Sequence, residues 1–455
     1  LIKISTFLCV FCLVMPAPFF AMHVDNHLNN NHFQSKTHLS DSVKNTKSLL
    51  FHFGTSKASK GIAIDKPIVY DTNTGFGFDF NSSSKVKINS NSFSTEKPTY
   101  FSVQLPEGNY QIEVTMGGNE KASNVSIKAE SRRLMLNQLS VPKGQKITKT
   151  FNINVRTPKI DDQLNVTLKD REKDILDWDD KLTLEFLGQV AIQDLKITAK
   201  DNLTVVYLAG DSTVTDQDVE PWASWGQFIT NYFDESVVVA NYAYSGSSLS
   251  SFKNGNRLKK ILTQIKKGDY LFVEFGHNDE KIKGEGNGAW GSYSDLLTEF
   301  VQSAKDKGAI PVLVTPTQRR FFNENGSLKD THGEFPDAMR AVAQKNNVAL
   351  IDITKMTTEL YEAWGDEPSR KAFVQYPVNT FPGQEKALDD NTHFNSFGAN
   401  EIALCVLKGI RELDIPLKKQ IKKETPNYNP KKPNYISSWT LPMSDQFEIA
   451  KPDGN

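Results

Sequence analysis

The feature that most restricts the fold is a change of texture after Asn202. Five short apolar runs follow one another from there: Leu203 to Ala209, Val237 to Ala240, Tyr270 to Phe275, Ile310 to Val314 and Val348 to Ile353. They are nearly continuous rather than alternating, which fits strands covered on both faces. Between them lie stretches of helical character: Trp225 to Phe233, Arg257 to Lys266, Tyr293 to Lys307 and Phe335 to Asn346. Strand alternating with helix predicts an open, doubly wound α/β domain with a parallel sheet. A last helix, Gly398 to Leu413, follows Asn395 and Ser396, either of which can cap it.

The chain before Asn202 reads differently. Runs such as Tyr100 to Leu105 and Tyr110 to Val114 alternate, and turn residues separate them: Asp71 to Gly75, Pro106 to Asn109 and Gly117 to Asn119. Short strands punctuated in this way predict an all-β sandwich. Leu164 to Leu168 alternates strictly, and Lys181 to Phe186 extends the pattern.

The ends add context. Lys3, the apolar stretch Phe7 to Met15 and small residues up to Ala21 have the order of a secretory signal peptide, and the stretch is short for a membrane span. The expected location is therefore secreted or periplasmic, with no stable membrane insertion once the leader is cut. The tract 22–46 is polar and carries His23, His27, His32 and His38 at irregular spacing, which fits a linker better than a metal site. The expected organisation is a leader over 1–21, a linker over 22–46, a β domain over 47–200, an α/β domain over 201–415 and an extended, surface-lying tail over 416–455. Lys plus Arg is 53 against 54 for Asp plus Glu, so no electrostatic case for a nucleic-acid partner arises. Cys405 is the lone cysteine beyond the leader and sits in an apolar helix face, which excludes an internal disulfide there and points to core.

Ligands bind open α/β sheets beyond the carboxyl ends of the strands. The first strand ends in Gly210-Asp211-Ser212-Thr213, the second in Ser245-Gly246-Ser247-Ser248 and the third in Gly276-His277-Asn278-Asp279. Three strands thus bring a hydroxyl, a glycine and an amide to one rim, the set that acyl transfer needs. A serine needs a base, and the α/β domain has His277, His332 and His393. His393 lies three residues after Asp390, a spacing that lets the carboxylate hold one ring nitrogen and leave the other to take the serine proton. His277 adjoins Asn278, so its ring is expected to point away from the rim, and His332 is expected at the surface. Ser247 and Ser248 lack the Gly-Asp-Ser context. Arg319 and Arg320, and Trp222, Trp225 and Trp290, lie near the rim in sequence; each has a reading as substrate contact and another as ordinary pairing or packing.

Gly210-Asp211-Ser212, Gly246, Gly276-x-Asn278-Asp279 and Asp390-x-x-His393 resemble, in order, the four sequence blocks of the SGNH (GDSL-type) hydrolases. The longer strings Val273 to Asp279 and Asp390 to Phe394 resemble more narrowly the rhamnogalacturonan acetylesterases. The resemblance covers about Val205 to Leu413. It implies a three-layer α/β/α, flavodoxin-like domain without a cofactor or metal. It also implies Ser212 as nucleophile, His393 as base, Asp390 as its orienting partner, and an oxyanion hole of the Ser212 and Gly246 N–H groups with the Asn278 amide. Serines flank Gly246 where relatives often carry Arg. The β domain is similar in texture to galactose-binding-like sandwiches, without a nameable binding residue. The implied activity is removal of O-acetyl groups from plant cell-wall polysaccharide, rhamnogalacturonan or pectin first, with acetylated polysaccharide or oligosaccharide as partner. The alternatives are an acetylxylan, short-chain or lipid esterase of the same fold, or a carbohydrate-binding protein with an inactive hydrolase domain.

Overall fold

The computed structural model describes residues 47–56 and 60–453; the expected leader and linker lie outside the described residues. All five apolar runs after Asn202 enter one parallel sheet, in the order Val237–Asn241, Thr204–Gly210, Tyr270–Glu274, Ile310–Val314, Ala349–Ile351. Alternate residues of each strand face opposite layers. Val206, Leu208, Val239, Phe272 and Val312 pack with helices Trp225–Ile229, Ile353–Trp364 and Ser396–Glu412. Val205, Tyr207, Val238, Leu271 and Leu313 pack with Leu249–Asn254, Arg257–Gln264, Ser294–Asp306 and Phe335–Asn346. Both faces are covered by helix, which is why the strands carry no polar alternation. This is the three-layer α/β/α arrangement expected of an SGNH hydrolase.

The last run ends earlier than its composition suggests. Ile353 opens a helix, because Asp352 turns out of the strand and its side chain accepts the Lys355 N–H. Asn395 rather than Ser396 caps the final helix, accepting from the N–H groups of Phe397 and Gly398. Cys405 is buried on that helix, and burial pushes its thiol well above its ordinary value.

The N-terminal region is strand-rich. Its organising element is Lys181–Ala199, 19 residues long. The first half of this strand pairs with Thr99–Gln104 and Ser123–Ala129, and the second half with Ser48–Phe53 and Gly108–Met116. Gly188, at φ +92°, lies where the strand passes from one set of partners to the other. Phe53, Phe78, Phe93, Phe101 and Phe186 fill the space between with edge-on ring contacts, Phe53 to Phe93 at 4.9 Å.

Two expectations need correction. Leu164 to Leu168 is not a strand; it makes a single bridge, Asn165 to Lys159, and Val166 packs into the helical layer with Trp178 and Leu249. Its alternation reflects anchoring on that layer rather than a ladder. The tail from Pro416 is extended but not merely surface-lying. Leu417 and Ile421 are buried, and Phe447 bridges Glu220 beside the strand-end loops.

Candidate active site

Ser212 stands on the tight turn that leaves Thr204–Gly210. The Asp211 carbonyl accepts the N–H groups of Val214 and Thr215 at 3.1 and 3.0 Å, and its carboxylate accepts the N–H and hydroxyl of Thr213 at 2.9 and 2.8 Å. A Cβ on Gly210 would lie 2.5 Å from a Val214 methyl, so this turn closes only over glycine. Beneath it the Glu274 carboxyl accepts from Thr213 Oγ1 at 3.0 Å and Trp225 Nε1 at 2.6 Å. Burial, with the nearby Asp211 charge, pushes the Glu274 carboxyl well above its ordinary value.

His393 and Asp390 arrive on Leu388–Phe394, which pairs antiparallel with Phe373–Tyr376. His393 Nε2 is 2.9 Å from Ser212 Oγ, and His393 Nδ1 is 2.9 Å from Asp390 Oδ2. Asp390 Oδ1 accepts the N–H groups of Thr392 and His393 at 2.7 and 2.8 Å. Burial alone would raise the Asp390 carboxyl, but the His393 ring and these two N–H groups outweigh it and hold the carboxyl well below the usual range. An ionised Asp390 accepts a hydrogen bond from Nδ1–H, which keeps the proton on Nδ1 and leaves Nε2 to accept from the serine hydroxyl. Arg320 fixes the adjoining loop: its N–H reaches the Asn391 carbonyl at 2.7 Å and its Nε the Asn391 side chain at 2.9 Å.

Gly246 has φ +77°, a conformation open to glycine. Asn278 Nδ2 donates to the Ser247 carbonyl at 3.0 Å, while Lys281 Nζ donates to Asn278 Oδ1 at 3.3 Å. Together these fix which way the amide faces and leave one of its N–H bonds unassigned. The N–H groups of Ser212 and Gly246 have no protein acceptor among the described residues.

The other sequence candidates resolve as follows. His277 is buried 3.4 Å from Asp211 Oδ2, and burial lowers it to about 4, against the pull of that carboxylate. His332, expected at the surface, is instead buried between Glu280 Oε2 at 2.9 Å and the Thr317 carbonyl at 2.8 Å. Its partner Glu280 lies 52 residues away, beyond the reach of local sequence patterns. Ser248 accepts the Ser251 N–H at 3.2 Å and caps Leu249–Asn254. Arg319 pairs with Glu280 and Arg320 with Asp366, so both are engaged within the protein. Trp222 lies edge-on to His393, with ring centres 5.7 Å apart, and Trp225 is buried. Trp290 is the exposed tryptophan of the three, at 57%. Among the described residues no group of three or more His, Cys, Asp or Glu is arranged to hold a metal ion.

The GDSL-like Lipase/Acylhydrolase family matches residues 208–399, the span that holds Ser212, Gly246, Asn278, Asp390 and His393. A rhamnogalacturonan acetylesterase of Bacillus subtilis is 46% identical over 215 residues, which are 47% of this chain and 92% of the relative. The chain belongs to the GDSL-like lipase/acylhydrolase family. It is thus a carboxylic ester hydrolase. A probable rhamnogalacturonan acetylesterase of the same bacterium is 37% identical over 222 residues, 48% of this chain and 98% of the relative. An uncharacterized esterase, also from B. subtilis, is 26% identical over 329 residues, 71% of this chain and 77% of its own length.

In this GDSL hydrolase the strand-rich region reaches the serine turn directly. Arg133 Nε meets Asp216 Oδ2 at 2.5 Å, and its other nitrogens meet Asp177 Oδ1 at 2.9 Å and the Asn154 carbonyl at 3.0 Å. Arg132 donates to the Gln217 and Trp222 carbonyls at 3.1 and 2.9 Å. Gln217 Nε2 in turn donates to the Ser212 carbonyl at 2.9 Å. Asp177 and Asp216 lie 44 and 83 residues from Arg133, so no local pattern announces the cluster. The trace it leaves in the sequence is a pair of arginines in an otherwise strand-like stretch.

Proposed function

We propose that this hydrolase removes O-acetyl groups from an acetylated plant cell-wall polysaccharide, rhamnogalacturonan first, through an acyl-enzyme on Ser212. The observation that carries the reading is the continuous chain from Ser212 Oγ through His393 to Asp390, with both links at 2.9 Å. Ser212 Oγ attacks the acetyl carbonyl while His393 Nε2 takes its proton. The N–H groups of Ser212 and Gly246 and the free N–H of Asn278 receive the developing oxyanion. His393 returns the proton to the departing sugar hydroxyl, and the acetyl group stays on Ser212. Water, deprotonated by His393, then releases acetate and restores the serine. Asp390 stays ionised throughout and stabilises the imidazolium that forms twice.

The choice of a carbohydrate acetyl ester rests on the names of two relatives that this chain covers nearly end to end, at 92% and 98% of their lengths. The leader-like order of residues 1–21 supports a secreted or periplasmic enzyme. The strand-rich region has a bracing role here, through Arg132 and Arg133.

The test is acetate release from acetylated rhamnogalacturonan, acetylated xylan and a small aryl acetate. Preference for rhamnogalacturonan is expected. Cleavage of the aryl acetate with no release from either polymer would keep the esterase and discard the polysaccharide.

A further inference from the structure

Ser212 is only 4% exposed and His393 only 1%, although a polymer has to reach them. The C-terminal segment lies against the groups around them. Phe447 bridges Glu220, the Glu448 carbonyl accepts from Trp222 Nε1 at 3.0 Å, and Lys451 Nζ lies 3.2 Å from Asp390 Oδ2. Asp453 then lies against the oxyanion glycine: a Cβ on Gly246 would be 3.0 Å from the Asp453 Cβ. Residues 451–453 thus reach from the candidate triad carboxylate to the oxyanion glycine.

The Asp453 carboxylate is received by a specific pair of groups. Lys169 Nζ is 3.7 Å from Asp453 Oδ2, and the Tyr244 hydroxyl is 3.5 Å from the same oxygen. Lys169 is itself anchored. Its ammonium donates to the Ser245 carbonyl at 3.2 Å and stands over the Tyr244 ring, 4.6 Å from the centroid. A cation held on the carbonyl next to Gly246, with a phenol beside it, recognises a carboxylate one residue from the oxyanion donors. Lys169 and Asp453 are each nearly half exposed, so this pair is loosely held and open to exchange with a ligand.

We infer that Lys169 and Tyr244 form the subsite for a uronate carboxylate of the substrate, and that Asp453 occupies it as an intramolecular stand-in which the polymer displaces. The inference rests on the rhamnogalacturonan reading above, a polymer that carries uronate carboxylates, and adds the residues that select for that acidity. It also explains why an intact triad lies under cover: the chain's own carboxylate and the polymer's compete for one place. A neutral aryl ester brings no carboxylate and gains nothing from Lys169.

The experiment is steady-state kinetics of the full chain on acetylated rhamnogalacturonan, on the same polymer after carboxyl reduction, and on 4-nitrophenyl acetate. The proteins are wild type, Lys169→Met, Lys169→Arg and Asp453→Asn. Lys169→Met is expected to lower the ratio of kcat/KM for the acidic polymer to that for the aryl acetate by about 10-fold, the size of one charge-assisted contact. The change will lie in KM, Lys169→Arg will restore most of it, and the carboxyl-reduced polymer will not register it. Asp453→Asn is expected to lower KM for the acidic polymer several-fold, because the competitor has lost its charge. An unchanged ratio in Lys169→Met, with wild type active on the polymer, overturns the subsite. A raised KM in Asp453→Asn overturns the stand-in. Wild type inactive on the acidic polymer but active on aryl acetate removes the parent reading, and the inference with it.

Discussion

Replacing Arg133 by Met removes the cation on which the strand-rich region and the serine turn converge. In the native protein Arg133 faces two buried carboxylates, Asp216 at 2.5 Å and Asp177 at 2.9 Å. Arg156 also stands nearby, 3.8 Å from Asp177. Burial already lifts Asp216 to about 6 in spite of Arg133. The variant leaves buried charge without its partner, which costs about 3–5 kcal/mol. Asp216 can relieve part of this by taking up a proton, the more readily the lower the pH. The loss is therefore expected to be larger at pH 8 than at pH 5. Denaturant titration followed by tryptophan fluorescence at both pH values measures it as a shift in midpoint. Adding Asp216→Asn to Arg133→Met is expected to recover stability at pH 8, as a double-mutant cycle with strong coupling. A loss below about 1 kcal/mol, or no recovery in the double variant, would refute this account of the cluster.

Three further outcomes are expected. Asn278→Ala will lower kcat on an aryl acetate by about 10²–10³-fold, as removal of one oxyanion donor does; full activity would exclude Asn278 from that role. Glu220 is held down to about 2: burial opposes this, but Arg132 and Lys128 outweigh it. Its carboxylate therefore contributes stability that is full above about pH 4.5 and lost as pH falls toward 2, amounting to no more than about 3 kcal/mol. Thermal melts from pH 7 to 3 will fall less steeply for Glu220→Gln than for wild type. A Cβ on Gly226 would lie 2.1 Å from the Val214 carbonyl, so Gly226→Ala will force apart helix Trp225–Ile229 and the serine turn. A cost of about 1–3 kcal/mol is expected, and a melting temperature equal to wild type would contradict it.

The α/β sheet was legible because each strand is buried on both faces, so its residues form a run that stands out from the amphipathic helices around it. The residues of the candidate triad were legible because Asp390 and His393 are three apart and Ser212 ends the first strand. Elsewhere the sequence was silent for a common reason. Glu274 lies within an apolar run, yet its partners Thr213 and Trp225 are 61 and 49 residues distant. His332 reads as a loop histidine until Glu280 is brought to it. Leu164 to Leu168 shows that alternation reports a face that is buried, not what buries it. The C-terminal segment has no periodicity, because its contacts are made residue by residue with loops.

The proposed nucleophile is Ser212, activated by His393. The most direct measurement is labelling with a fluorophosphonate, followed by peptide mapping, for wild type and for Ser212→Ala and His393→Ala. One modified peptide, containing Ser212, is expected in wild type, with no label in Ser212→Ala and strongly slowed labelling in His393→Ala. Label on Ser247 or Ser248, or labelling that persists in Ser212→Ala, would contradict it.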